Sequence, residues 1–214
     1  MDTKKSDKFL STLEAAQKGD ADAQFALGLM YEDGKGTEQN YVAAYKYYKL
    51  AADQGNFNAQ YKLGIMYYDG KGIEQNYIKS IEYFQLAANQ NDSDAQFNLG
   101  VMYGNGKGTE QNYVAAYKYY KLAADQGNID AQVNLGLLYA YGNGVEQNYE
   151  KAAEYYAAAA AKGDAIAQYN LGLLYENGDG VEKNYAKAFE CYAAAAKQGD
   201  AIAQYNLGDL YYFG

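Results

Sequence analysis

The pair Leu27-Gly28 returns as Leu63-Gly64, Leu99-Gly100, Leu135-Gly136, Leu171-Gly172 and Leu207-Gly208, each step 36 residues long. A tyrosine follows three positions after each glycine: Tyr31, Tyr67, Tyr103, Tyr139, Tyr175 and Tyr211. No residue is gained or lost between units, and residues 34–56 and 106–128 are identical, which points to recent internal duplication. A fixed period of this length leaves little freedom. The chain must stack small, similar units, each burying its apolar surface against its neighbours.

Each unit reads as two helices. In helix A of the first unit, Ala23, Leu27, Met30 and Tyr31 follow the i, i+4, i+7, i+8 period. Asp20 precedes it in an N-cap slot filled later by Asn56, Asp92, Asn128, Asp164 and Asp200. Gly34 and Gly36 then allow the backbone to adopt positive φ, end the helix and reverse. Helix B starts after Asn40, and Ala44, Tyr47, Tyr48, Ala51 and Ala52 form one apolar stripe. Gly55 ends it. Asn91 replaces that glycine once, and Asn is the next residue best suited to the left-handed region.

Gly28 and its equivalents sit inside helix A, where glycine costs roughly 0.5–1 kcal/mol relative to alanine. The expected gain is close approach of helix A to a neighbouring backbone, helped by small pairs such as Ala51-Ala52. Ala15-Ala16 and Gly19 align with Ala51-Ala52 and Gly55, so residues 7–18 read as an orphan helix B capping the stack. Five complete repeats over 20–199 follow, then helix A alone of a sixth over 200–214. The expectation is one repeat domain, 1–214, of twelve helices.

Composition narrows the function. The net charge is −9 and every basic residue is lysine, so phosphate neutralisation is poorly served and nucleic acid is not an expected partner. The longest small apolar run, Ala157 to Ala161, is far too short to span a bilayer, so no membrane insertion is expected. The polar start, Met1 to Lys8, is followed by no apolar signal core. A cytoplasmic location is expected, with secretion lacking a signal peptide left open. With a single cysteine, Cys191, no intrachain disulfide can form. Cys191 aligns with Tyr47, Tyr83, Tyr119 and Tyr155 and reads as a core filler. There is no histidine to activate it. The Gly-x-Gly loops lack the preceding strand and third glycine of a phosphate-binding turn. No cofactor or metal site is expected.

The pattern Ala23, Leu27-Gly28, Tyr31, Gly34, Gly36, Ala44, Tyr48, Ala51-Ala52, Gly55 resembles the Sel1-like repeat, a relative of the tetratricopeptide repeat, over nearly the whole chain. The resemblance implies an all-α fold, a right-handed α/α superhelical solenoid of 36-residue helix-turn-helix repeats with helix A lining the concave side. It also implies a bacterial adaptor or scaffold that binds proteins or peptides. Some bacterial members are stapled by disulfides and linked to penicillin-type ligands; this chain lacks those cysteines. Tetratricopeptide chaperone clamps place Asn directly after the helix A glycine. Here that slot holds Leu29, Ile65, Val101, Leu137, Leu173 and Asp209.

On the face the resemblance makes concave, one row is Phe25, Tyr61, Phe97, Val133, Tyr169 and Tyr205, flanked by the Leu29-type row. Tyr68, Tyr141 and Tyr212 lie near helix ends at more variable positions. These residues either form a groove for an extended or helical peptide, or pack within and between hairpins. The row Asn98, Asn134, Asn170 and Asn206 could bond ligand backbone or bridge helices. Two other readings stand beside the scaffold. One is an enzyme acting on cell-wall or penicillin-type substrates, which would need a polar constellation breaking the repeat. The other is a passive segment of a longer repeat protein. The last helix A should expose an apolar face around Leu207, Leu210 and Tyr211, so the expectation is either that the chain is a fragment of a longer repeat array or that these ends self-associate.

Overall fold

The structure, a computed structural model, describes residues 6–213, with side chains through residue 210. Twelve helices and no strand occur among the described residues. Two compact units divide them, 1–111 and 112–214. The first holds α1 (Asp7–Gln17), α2 (Ala21–Asp33), α3 (Tyr41–Asp53), α4 (Phe57–Asp69), α5 (Tyr77–Asn89) and α6 (Ser93–Asn105). The second holds α7 (Tyr113–Asp125), α8 (Ile129–Tyr141), α9 (Tyr149–Ala160), α10 (Ala165–Asn177), α11 (Tyr185–Lys197) and α12 (Ala201–Phe213). In each unit consecutive helices pack as hairpins, A helices even-numbered and B helices odd-numbered. The chain is an all-α solenoid of helix-turn-helix repeats.

The helix ends follow from the residues at their caps. The Asp20 carboxylate accepts from the Ala23 amide at 2.8 Å, and Asn40 from Ala43 at 2.9 Å. Every A helix from α2 to α10 ends on a glycine in the left-handed region, as at Gly34, φ 70°. Asn91, at φ 68°, is the one non-glycine with positive φ among the described residues. It stands at the end of α5, where asparagine's tolerance of that region permits it. The loop is tied down as well. Asn40 N–H donates to the Tyr31 carbonyl at 2.8 Å, and the Gln39 side chain donates to the carbonyl of Glu32 at 2.8 Å. Gln75 and Gln147 repeat that bond. Carbonyls left over at the helix end are satisfied in this way.

The second loop glycine joins one repeat to the next. A Cβ on Gly72 would lie 2.6 Å from the backbone of Tyr41, at the start of the preceding B helix, and Gly72 has φ 74°. Gly108 meets Tyr77, and Gly144 meets Tyr113, in the same manner. The Gly-x-Gly loop is therefore filled by protein and offers no phosphate cradle.

The helix glycine has a different neighbour from the one the sequence suggested. A Cβ on Gly64 would stand 2.5 Å from Cδ1 of Phe84, and Gly28, Gly136 and Gly172 face Tyr48, Tyr156 and Tyr192. An aromatic ring of the partner B helix, not backbone or the Ala pair, occupies the space the missing side chain leaves. Tyr48, Phe84 and Tyr192 are fully buried. Burying a ring such as Phe84 contributes about 1.5–3 kcal/mol, enough to offset the glycine's helix penalty.

Candidate functional site

The A-helix row rests on those same rings. Phe25 packs on Tyr48 with centroids 5.8 Å apart, Tyr61 on Phe84 at 5.8 Å, and Tyr169 on Tyr192 at 5.8 Å. Such pairs add roughly 0.5–1.5 kcal/mol beyond area burial. Phe25, Tyr61, Phe97 and Tyr169 are half-buried and Val133 is buried at 5% exposure. Burial, reinforced by the Asp94 charge, pushes the Tyr61 phenol above its ordinary value. Most of this row is thus both core lid and surface. Tyr205, on α12, is 67% exposed. Tyr212 lies outside the described side chains, as does Tyr211.

The variable positions divide by unit. In the first, Tyr68 is engaged: its ring meets Tyr77 edge-on at 5.4 Å, and the Lys107 ammonium sits 4.5 Å above it while donating to its hydroxyl. In the second, Tyr141 is 71% exposed. It flanks a hollow of about 170 Å³ between α8 and α10, shared with Tyr149, Asn170, Leu173 and Asn177. Leu173 and Asn170 belong to rows singled out from the sequence; Tyr149 and Asn177 do not. The sequence signal at this place belongs to Tyr141, which replaces an acidic or amide residue at its own repeat position (Asp33, Asp69, Asn105 and Asn177), whereas Asn177 follows that column and carries none.

The asparagine row bonds within the protein. Asn98, Asn134 and Asn170 each donate to the carbonyl four residues back in their own helix at 2.8 Å. The oxygen of each amide can still accept a further bond. Cys191 is half-buried; burial, then the neighbouring Glu190 charge, raises its thiol, which disfavours a thiolate nucleophile. Among the described residues no group of three or more His, Cys, Asp or Glu comes together, and no helix is long and apolar enough to cross a membrane. On α12, Leu207 and Leu210 pack on the Ala188–Tyr192 cluster. Gly208, unlike the other helix glycines described above, faces no atom within 4 Å, and Ile202 is 59% exposed.

Comparison with known proteins agrees with this architecture. The family model for the Sel1 repeat matches residues 21–56, 58–92, 93–128, 129–164, 165–200 and 201–214. A protective antigen present in uropathogenic Escherichia coli strains is similar in structure, with TM-score 0.91 and 37% identity over 93% of this chain. This chain spans 43% of that antigen. A Sel1 repeat protein from Oxalobacter formigenes superposes with TM-score 0.83 at 32% identity, covering 96% of this chain and 88% of its own. The immunity protein Pa5087 from Pseudomonas aeruginosa shares 28% identity over 86% of this chain and 67% of its own, with TM-score 0.53. No curated protein matches the sequence.

Proposed function

Because this chain belongs to the Sel1 repeat family, whose solenoids generally serve as protein-interaction scaffolds, we propose that it binds a peptide segment of a partner protein along its A-helix face and performs no catalysis. One observation carries the reading: the hollow beside α8 and α10, where the exposed Tyr141 stands next to Leu173 and Asn170. An exposed aromatic beside an apolar floor and an amide is the kind of anchor that dominates peptide affinity. The half-buried row of Phe25, Tyr61, Phe97 and Tyr169 extends the face on either unit as a fixed apolar wall.

The test is panning a random peptide library on the folded protein, then measuring selected peptides against Tyr141→Ala and Asn170→Ala. Loss of affinity in both, with circular dichroism unchanged, supports the face. Peptides that bind both variants as they bind the parent would refute it. Alanine at Tyr61 or Tyr169 is a poorer probe, because those rings also cover the core.

A second mode has its own observation. Tyr205, Ile202 and the open flank of Gly208 leave α12 able to pair with a second copy. Sedimentation over a concentration range tests it: a mass independent of concentration, at the value of one chain, rules the pairing out.

A further inference from the structure

The hollow beside Tyr141 has a counterpart two repeats earlier, and there the first unit supplies a cation of its own. Lys107, in the loop after α6, lays its ammonium 4.5 Å over the Tyr68 ring and 5.6 Å over the Tyr77 ring, and donates to the Tyr68 hydroxyl. Two repeats on, Tyr68 corresponds to Ala140, Tyr77 to Tyr149 and Lys107 to Asp179. All three of these later residues line the hollow. The loop position itself runs Lys35, Lys71, Lys107, Asn143, Asp179. In the second unit, therefore, the cation is gone and an acid stands at its place.

Tyr156 supplies an independent observation. Sixteen residues before each buried ring of a B helix stands a residue near the end of the paired A helix. Within each unit these pairs are Glu32 with Tyr48, Tyr68 with Phe84, Ala140 with Tyr156, and Glu176 with Tyr192. Tyr48 donates to the Glu32 carboxylate and Tyr192 to that of Glu176. Phe84 has no hydroxyl to satisfy. Tyr156 has one, but alanine holds the place of the glutamate, and the hydroxyl finds no hydrogen-bond partner among the described residues. Tyr156 lines the hollow although it is only 2% exposed. A polar atom that is buried and unbonded at the wall of a hollow is relieved by a polar guest.

The remaining polar groups decide the ligand class. Asn170 spends an amide N–H on the Ile166 carbonyl at 2.8 Å, and Asn177 spends one on the Asp179 carboxylate at 3.2 Å. Both amide oxygens are left to accept. No lysine lines the hollow, and Asp179 has no ion pair among the described residues. Burial, then the neighbouring Tyr141, raises the Tyr156 phenol, so its oxygen is neutral and can accept as well as donate. An anionic guest would meet Asp179 with no cation to offset it. An apolar guest would cover the Tyr156 hydroxyl and the amide oxygens without bonding them. A cation answers them all, and the tyrosine rings add to its attraction.

Three single oxygens, on α9, α10 and the loop after α10, suit the diverging N–H bonds of an ammonium better than the flat fork of a guanidinium. We propose that the hollow binds the primary ammonium of a lysine side chain in the peptide ligand, held by the Asp179 carboxylate, the Asn170 amide oxygen and the Tyr156 hydroxyl, at the place where the first unit uses its own Lys107. This deepens the reading that the hollow anchors a peptide, and rests on it.

The probe is acetyl-Gly-Lys-Gly-amide, titrated into nitrogen-15-labelled protein and followed by backbone amide shifts. Peptides with arginine, Nε-acetyl-lysine or Nε-trimethyl-lysine at the centre are the comparisons. The lysine peptide should shift the amides of Tyr141, Asn170 and Asp179 saturably, should weaken as salt rises, and should bind at least about fivefold more tightly than the other three. Asp179→Asn should weaken it at least about fivefold. Asp179→Lys copies Lys35, Lys71 and Lys107, so the fold accommodates it, and it should abolish binding. Tyr156→Phe copies Phe84 and gives a second arm, also expected to weaken binding. Equal affinity for the acetyl-lysine peptide, or parental affinity in Asp179→Lys, would overturn the assignment. Tighter binding of the trimethyl-lysine peptide would overturn the primary ammonium. The two readings also fail apart. Library-selected peptides that lose affinity in Tyr141→Ala but bind Asp179→Lys as they bind the parent would leave the peptide face standing and remove the ammonium site. Selected peptides indifferent to Tyr141→Ala would remove the face, and the ammonium site with it.

Discussion

Replacing Lys162 with glutamine should stabilise the protein. In other repeats a glutamine, one residue before the left-handed residue that ends helix B, bridges two elements. Gln90 Nε2 donates to the Gly55 carbonyl at 3.0 Å and to Gln60 Oε1 at 2.8 Å; Gln198 does the same to Gly163 and Gln168, both at 2.9 Å. Lys162 occupies that position once. Its ammonium reaches the Gly127 carbonyl at 2.9 Å, but Gln132 Oε1 is left buried with no hydrogen-bond partner. An unsatisfied buried acceptor costs about 1–3 kcal/mol. Lys162→Gln restores a donor to that oxygen and exchanges a charge-assisted bond to Gly127 for a neutral one. That bond is at the surface, so its loss offsets only part of the gain. The net expectation is about 1 kcal/mol. For a chain of this length that corresponds to about 2–4 °C in Tm. Thermal and urea unfolding followed by circular dichroism read it. The reciprocal change, Gln90→Lys, orphans Gln60 Oε1 on a residue only 5% exposed and should lower Tm by at least as much. If Lys162→Gln leaves Tm unchanged while Gln90→Lys lowers it, a bound water satisfies Gln132 and the orphan argument fails.

Three further outcomes follow from the packing and the titrating groups. Gly64→Ala places a Cβ 2.5 Å from the Phe84 ring and should cost about 1–3 kcal/mol, whereas Gly208→Ala meets open space and should gain up to about 1 kcal/mol; matching denaturation midpoints for the two would discredit the ring-contact account. Burial raises the Asp92 carboxyl, so the native state holds its proton more tightly than the unfolded chain. Stability attributable to it falls as pH rises from the ordinary carboxylate range through the raised value. Asp92→Asn should therefore gain on the parent at neutral pH and lose that advantage on acidification, read from urea midpoints across pH; a constant gap would contradict the sign. Burial, then the bond to Glu32, raises the Tyr48 phenol, and burial raises Tyr156 and Tyr192 likewise. The unfolded chain releases these protons above about pH 10 while the folded chain keeps them, so stability should drop there, and Tyr48→Phe, which copies Phe84 from the same slot of the next repeat, should drop less.

What could be read in the sequence and what could not divides along one physical line. Caps and breaks were legible because each depends on a single residue type in a local backbone state: Asp20 and Asn40 at N-caps, Gly34 in the left-handed region, Asn91 standing in for glycine. The Leu-Gly spacing gave the repeat for the same reason. The role of Phe25, Tyr61 and Tyr169 was not legible, because helix A is covered by B helices on more than one side. Its apolar residues therefore surround it, and periodicity cannot separate a ring that covers the core from one that faces a ligand. Only the rings at Tyr48, Phe84 and Tyr192 show that these residues cover the core. Tyr141 could be distinguished because it breaks a column of acidic and amide residues, and it is exposed. The Gln132 orphan shows the complementary case. It rests on residues from different elements, Lys162 just after α9 and Gln132 within α8, that no single-helix pattern connects. Its signal is a departure from the 36-residue period. In a repeat protein the positions that fail to repeat are where function has room to differ from folding.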